Sequence, residues 1–185
     1  MAIADTLRPN AEAALKALKG LGIEHLVMLT GDQAAVAKSI ASGLGMEYEA
    51  GLLPEDKLKV IQRLRARYDS VAMVGDGIND APALAASTLG VSLGGGGTDV
   101  ALETADVVLM ADDLTLLPEA ISVARRARQV IRQNLVFAFG MMAVLLGFTY
   151  FGRLPLPLAV LGHEGSTVLV ILNGVRLLRS PRARR

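Results

Sequence analysis

Val71-Ala72-Met73-Val74-Gly75-Asp76-Gly77-Ile78-Asn79-Asp80-Ala81-Pro82-Ala83-Leu84 reads as a buried strand that breaks into an acidic glycine turn and re-forms as a helix. The apolar run Val71 to Val74 is the pattern of a strand in a parallel sheet, and Pro82 stands where a helix can begin. That reading puts Asp76 at the carboxyl end of the strand, the edge at which open α/β sheets bind ligands. Two carboxylates and an amide converging there, Asp76, Asp80 and Asn79, are hard oxygen donors suited to magnesium holding a phosphate. The plainer alternative is a surface turn made of good turn residues.

Outward from this stretch, strands and helices alternate. Pro9 to Lys19 places Ala11, Ala14, Leu15 and Leu18 on one helical face, and Gly20 and Gly22 stop the helix. Leu26 to Leu29 is a strand ending at Thr30-Gly31-Asp32, followed from Gln33 by a helix with Val36, Ile40 and Leu44 at a four-residue spacing, loosened by Gly43 and Gly45. Leu52-Leu53-Pro54-Glu55-Asp56-Lys57 opens a third helix with Leu58, Ile61 and Leu64 on one face. Leu89 to Leu93 and Val107 to Met110 are further strands, separated by the flexible run Gly94 to Gly97 and a helix-like Asp99 to Thr104. Alternation of this kind implies a parallel sheet with crossover helices, so residues 1–120 are expected to be α/β and Rossmann-like.

The whole-chain charge of +1 conceals a division. Residues 1–124 carry 9 Lys or Arg against 17 Asp or Glu, a balance of −8, whereas residues 125–185 carry 10 Arg and the single acid Glu164, a balance of +9. The arginines flank two apolar stretches and are not interleaved with stacking residues, which speaks against a nucleic-acid arm. Leu135 to Gly152 has no charged residue and Leu154 to Val175 has only His163 and Glu164, so both approach or reach the length of a bilayer span. Arg125, Arg126, Arg128 and Arg132 precede the first span, and Arg176, Arg179, Arg182, Arg184 and Arg185 follow the second. The positive-inside rule then predicts a hairpin over residues 121–185, in contact with membrane lipid, with both ends cytoplasmic and an outer turn at Gly152-Arg153. From about Leu116 to Phe151 no strong stop interrupts a helical pattern, and Pro118 fits a first turn, which predicts a stalk running into the first span. The competing expectation is a helical hairpin buried inside a soluble protein. With no cysteine, disulfides and thiolate metal sites within the chain are excluded. Met1 to Asp5 has no charged leader before an apolar core, so no signal peptide is expected.

Three polar elements occur in order, each at a strand end or helix start. Thr30-Gly31-Asp32 offers a hydroxyl and backbone amides for phosphate oxygens. Lys57 offers an ammonium to neutralise a phosphoryl group. Asp76 with Asn79 and Asp80 offers the magnesium ligands. Gly94 to Gly97 lacks the Lys-Ser/Thr ending of a phosphate loop and the context of a dinucleotide fingerprint, and reads as a connection.

In this order and context, Met28-Leu29-Thr30-Gly31-Asp32, Leu53-Pro54-Glu55-Asp56-Lys57 and Val74-Gly75-Asp76-Gly77-Ile78-Asn79-Asp80-Ala81-Pro82-Ala83-Leu84 closely resemble the carboxyl-terminal part of the phosphorylation domain of P-type cation-transporting ATPases, within the haloacid dehalogenase superfamily. The resemblance implies that Thr30 and Lys57 contact the phosphoryl group with Gly31 beside them, and that Asp32 orients the site. It also implies that Asp76 ligates catalytic Mg2+, with Gly77, Asn79 and Asp80 completing its surroundings. His163-Glu164-Gly165-Ser166-Thr167 resembles the last membrane helix of a heavy-metal subclass that moves cobalt, zinc, cadmium or ferrous iron. Independently of the likeness, ionisable groups inside a bilayer are costly and functional by default, and His with Glu suits a borderline transition metal. Helical spacing lets His163, Glu164 and Thr167 share one side, while Met141 and Met142 read as packing or lipid-facing residues in place of soft ligands. A structural role for His163 and Glu164 in an interhelical hydrogen-bond network is the alternative.

The family's Asp-Lys-Thr-Gly-Thr nucleophile segment does not occur in this sequence. Nor do the nucleotide-binding domain that would bring ATP, the actuator domain, or the earlier membrane helices. The resemblance therefore implies part of a Mg2+-dependent, ATP-driven metal exporter, placed in a bacterial plasma membrane and partnered by the missing amino-terminal portion. Without a nucleophile, the covalent step cannot occur in this chain alone. Two alternatives stand beside this: a membrane-tethered phosphatase of the dehalogenase type using Asp5 of Asp5-Thr6, and a non-catalytic metal-binding membrane partner.

Overall fold

A computed structural model describes residues 10–76, 79–94, 103–152 and 155–179. Its internal contacts divide the chain into two units, Met1–Glu119 and Ala120–Arg185. In the first, helix α1 (Ala11–Gly20) buries Ala11, Ala14, Leu15 and Leu18 and gives way at Leu21 and Gly22, the latter at φ +82°. Strand β1 (Val27–Leu29) leads into α2 (Ala34–Leu44), which ends on Gly45 in the left-handed conformation at φ +62°. A Cβ resists that region, which is why glycine closes helices so often.

The next element is a strand that hydrophobic pattern did not disclose. Glu47-Tyr48-Glu49 forms β2, paired in parallel with β1 in the register Val27 to Glu47 and Leu29 to Glu49. Its two acids and largely exposed residues carry no buried alternation, so the backbone ladder specifies it in place of side-chain burial. Helix α3 (Pro54–Arg67) follows, with Pro54 at its first position. Strand β3 (Ala72–Gly75), the six-residue helix α4 (Ala81–Ala86), β4 (Leu89–Leu93) and β5 (Val107–Leu109) complete the unit. β3, β4 and β5 form a three-stranded parallel sheet in sequence order, beside the two-stranded β1-β2 sheet. The fold is thus a partial parallel α/β arrangement, as expected. Glu103 and Thr104 are helical, whereas Gly95 to Gly97 and most of the segment expected to be helical after them lie outside the described residues.

A cluster of Ile61 from α3, Met73 from β3 and Ala83 and Leu84 from α4 forms the core behind the strand ends, with Leu29, Val71 and Ala86 packed against it. Among the described residues, Leu84 and Val91 are the largest fully buried side chains. Gly90 is required here: a Cβ at that position would stand 2.9 Å from the Leu84 carbonyl oxygen.

Helix α5 (Leu116–Tyr150) runs 35 residues. At its start, the Thr115 amide and hydroxyl both donate to Asp113 Oδ1, at 2.9 and 2.7 Å. Those bonds hold the Asp113 carboxyl below its ordinary pKa, because they favour the charged form. In the second unit, α5 continues and α6 (Leu156–Val175) follows, ending in a short 3-10 turn, Arg176–Arg179. Both helices are long and apolar enough to cross a membrane. Their large side chains face outward, Val136 and Phe139 each 67% exposed and Leu156 77%. A hairpin buried inside a soluble protein would have covered them; a bilayer is the solvent that suits them. Gly152 turns the chain at φ +63°, and Arg153 and Leu154 lie outside the described residues.

The two apolar helices meet through amides. Asn173 donates to Asn134 Oδ1 at 2.9 Å and to Gln133 Oε1 at 3.4 Å, while Asn134 donates to the Val170 carbonyl at 3.4 Å. Arg176 donates to Asn173 Oδ1 at 3.1 Å. Further along, Gly162 gives room to Leu145, whose Cδ2 would be 3.2 Å from a Cβ there. Small residues at such crossings let helices approach, and paired amides join them where no hydrophobic force acts between them.

Candidate functional site

Lys57 reaches the first unit's strand ends from the first turn of α3. That turn is built locally: Pro54 needs no amide partner, and Asp56 Oδ2 accepts the Leu53 amide at 3.4 Å. A hydrogen bond from Lys59, more than the one from Leu53, holds the Asp56 carboxyl below its ordinary pKa. From this platform Lys57 Nζ donates to Asp80 Oδ1 at 2.6 Å, with side chains 18% and 12% exposed. At that depth the pair is charge-assisted and poorly screened by solvent.

Asp80 lies just before α4 and folds back over the end of β3, where Gly75 makes space for it. A Cβ on Gly75 would stand 2.8 Å from Asp80 Oδ2 and 3.0 Å from its Cβ. Gly75→Ala is therefore expected to push Asp80 off Lys57, costing about 1–3 kcal/mol as an overpacked site does. Faster hydrogen exchange at the Leu84 amide, which donates to the Asp80 carbonyl at 2.8 Å, would report the loss. Unchanged exchange would mean that the carboxylate has another place to lie.

At the end of β1, Thr30 Oγ1 donates to Asp32 Oδ2 at 3.0 Å and accepts the Asp32 amide at 3.1 Å. The loop opposite holds this turn in place: the Thr30 amide donates to the Glu49 carbonyl, Leu52 to the Thr30 carbonyl and Gly51 to the Asp32 carbonyl. Gly31 and Asp32 are exposed. Since Leu52 leads directly into α3, the same loop links the Thr30 turn to the Lys57 platform, and Leu29 shares the core of β3 and α4.

The structure thus joins Lys57 with Asp80 and Thr30 with Asp32, and leaves Asp76 and Asn79 exposed at the carboxyl end of β3. Gly77, Ile78, Asp5 and Thr6 lie outside the described residues. Among the described residues no three His, Cys, Asp or Glu side chains gather as a metal site. What sequence reasoning missed is that Lys57 and Asp80 satisfy each other, and that Gly75 is what permits it. A glycine immediately before the acidic turn was the available signal.

In the hairpin, α5 and α6 enclose an open-sided pocket of about 470 Å³ lined by Met141, Met142, His163, Ser166 and Thr167 among apolar neighbours. Ser166 and Thr167 both donate to the His163 carbonyl, at 2.7 and 3.2 Å. Glu164 is exposed and does not line the pocket, so His163 and Thr167 share a face that Glu164 does not.

The family model for haloacid dehalogenase-like hydrolases matches residues 1–88. A cadmium-transporting ATPase of Staphylococcus aureus is 44% identical over 180 residues, covering 97% of this chain and 25% of that protein. A zinc-transporting ATPase of Bacillus subtilis is 47% identical over 180 residues, covering 97% of this chain and 28% of the relative. The crystal structure of a zinc-transporting PIB-type ATPase in an E2.Pi state superimposes with a TM-score of 0.86 at 48% identity, over 95% of this chain and 28% of that one. The chain spans about a quarter of the length of the curated relatives it matches.

Proposed function

We propose that this chain is part of a heavy-metal-transporting P-type ATPase, its first unit the ion-holding half of a phosphoryl-transfer site and its hairpin part of a metal path across a bacterial plasma membrane. The observation that carries the reading is the Lys57–Asp80 contact of 2.6 Å beside the exposed carboxylate of Asp76. Asp76 offers hard oxygens at a strand end, where Mg2+ with retained waters would fit, and Asp80 keeps Oδ2 for that ion's surroundings while Oδ1 holds Lys57. When bound, Mg2+ supplies charge neutralisation at a transferring phosphoryl group. Lys57 would neutralise the same group, held in place by Asp80, and Thr30 and the Gly31 amide would contact its oxygens, with Asp32 fixing the Thr30 hydroxyl.

The aspartyl-phosphate chemistry needs an Asp-Lys-Thr-Gly-Thr segment, which is not among these 185 residues. ATP binding and dephosphorylation are likewise assigned to the portion of the exporter that this chain does not span. In the hairpin, His163 with Thr167 would bind the exported divalent metal of the cobalt, zinc, cadmium or ferrous iron class, and Glu164 would serve from the other side of α6. The arginine clusters at the outer ends of the two spans support a cytoplasmic side for both termini.

Mn2+, a spectroscopic stand-in for Mg2+, tests the first unit. Electron paramagnetic resonance titration of the purified chain is expected to show Mn2+ binding weakened roughly tenfold or more in Asp76→Asn, on the scale seen when metal-site partners are removed. Equal binding in the variant would remove Asp76 from the ion site. The purified chain is also expected not to hydrolyse a small phosphate ester; turnover lost in Asp5→Asn would transfer the reading to a phosphatase. For the hairpin, His163→Ala is expected to weaken Cd2+ or Zn2+ binding by roughly tenfold or more in calorimetric titration, and unchanged binding would dismiss His163 as a ligand.

A further inference from the structure

The hairpin pocket contains no carboxylate: Glu164 does not line it, and the donors it brings together are two thioethers, one imidazole and hydroxyls. Met141 and Met142 come from α5, and His163, Ser166 and Thr167 from α6, so one pocket is lined by thioether residues of one helix and an imidazole residue of the other. The hydroxyls are prepared for a cation. Ser166 and Thr167 give their protons to the His163 carbonyl, and Thr149, which also lines the pocket, gives its proton to the Leu145 carbonyl at 2.8 Å. Their oxygen lone pairs are thereby left to accept. Thioether sulfur adds little affinity for a hard ion and much more for a soft one, whereas imidazole suits the borderline metals.

We propose that Met141 and Met142, together with His163, form a thiophilic-metal site that takes a soft divalent cation such as Cd2+ in preference to Co2+ or Mg2+. The proposal rests on His163 being a metal ligand and adds the sulfur pair that makes the pocket selective. Its donors are all neutral, so they leave a divalent charge uncompensated in a low-dielectric setting. That weakens retention and suits a site through which an ion passes.

The test uses the full chain in lipid nanodiscs and the double variant Met141→Leu/Met142→Leu, a volume-conserving change that keeps the helices packed. Helix content by circular dichroism checks that it does. Cadmium-edge X-ray absorption of the unsubstituted chain is expected to show sulfur neighbours that vanish in the double variant. The Cd2+ dissociation constant should rise roughly tenfold or more while that for Co2+ moves less than about twofold. Absence of sulfur around cadmium in the unsubstituted chain would overturn the proposal, as would equal weakening for Co2+ and Cd2+, the mark of a packing effect. Unchanged Cd2+ binding in the double variant with binding lost in His163→Ala would overturn the sulfur site and leave His163 a ligand. Unchanged binding in both would overturn both.

Discussion

Lys57→Met is expected to destabilise the α3-β3-α4 region by about 3 kcal/mol, the low end of the range for removing one partner of a buried ion pair. The Asp80 side chain is only 12% exposed, and without the ammonium its charge remains desolvated and loses the donor that holds Oδ1 at 2.6 Å. Hydrogen exchange at the Leu84 amide and along β3 should accelerate by about two orders of magnitude, since each 1.4 kcal/mol is a factor of ten. Lys57→Arg, which keeps the charge but not the compact geometry, should recover only part of the protection. An effect under about 1 kcal/mol would class the pair with solvent-exposed bridges that add little.

Leu84→Ala should produce a loss of similar size, about 3 kcal/mol, through a different cause. Leu84 is 1% exposed at the centre of the cluster it forms with Ile61, Met73 and Ala83. Removing its branched end leaves a cavity among Ile61, Met73 and Ala83 that rigid neighbours cannot fill. Amides of α3, α4 and β3 should lose protection together, whereas Leu84→Met should cost less than about 1.5 kcal/mol. Equal tolerance of Ala and Met would show that the site collapses readily and that the core is loosely packed.

These two residues also mark what the sequence carries openly and what it carries only in context. The strand at Val71 to Val74 and the helices with apolar residues every three to four positions were readable because burial imposes a period on side chains. The observed β3, Ala72–Gly75, is offset from that reading by one residue. β2 was not readable, since Glu47, Tyr48 and Glu49 are held by main-chain bonds to β1 that are blind to side-chain type. The candidate site divides in the same way. Thr30, Asp32, Lys57, Asp76 and Asp80 stand at strand ends and helix starts, where local pattern points. The Lys57–Asp80 bond joins residues 23 positions apart, and Asn134 and Asn173 lie 39 apart. Distances of that kind follow from how elements pack, which residue spacing along one helix or strand does not encode. The same limit explains Glu164: helical spacing allowed it to share a side with Thr167, but only the position of α5 decides which side is the pocket.

The amide pair between the membrane helices has a mechanical consequence. Asn173 and Asn134 bond to each other, and to Gln133 and the Val170 carbonyl on the facing helices, so they act as a detent: one setting of the two rods is favoured over sliding by a turn. Bonds of this kind average about 0.6 kcal/mol in membrane proteins and reach about 1.7, a preference of roughly threefold to twentyfold. A detent of that strength holds the pocket residues of α5 and α6 opposite one another at rest, yet releases under a push no greater than a few multiples of thermal energy. The hairpin is thereby indexed without being locked.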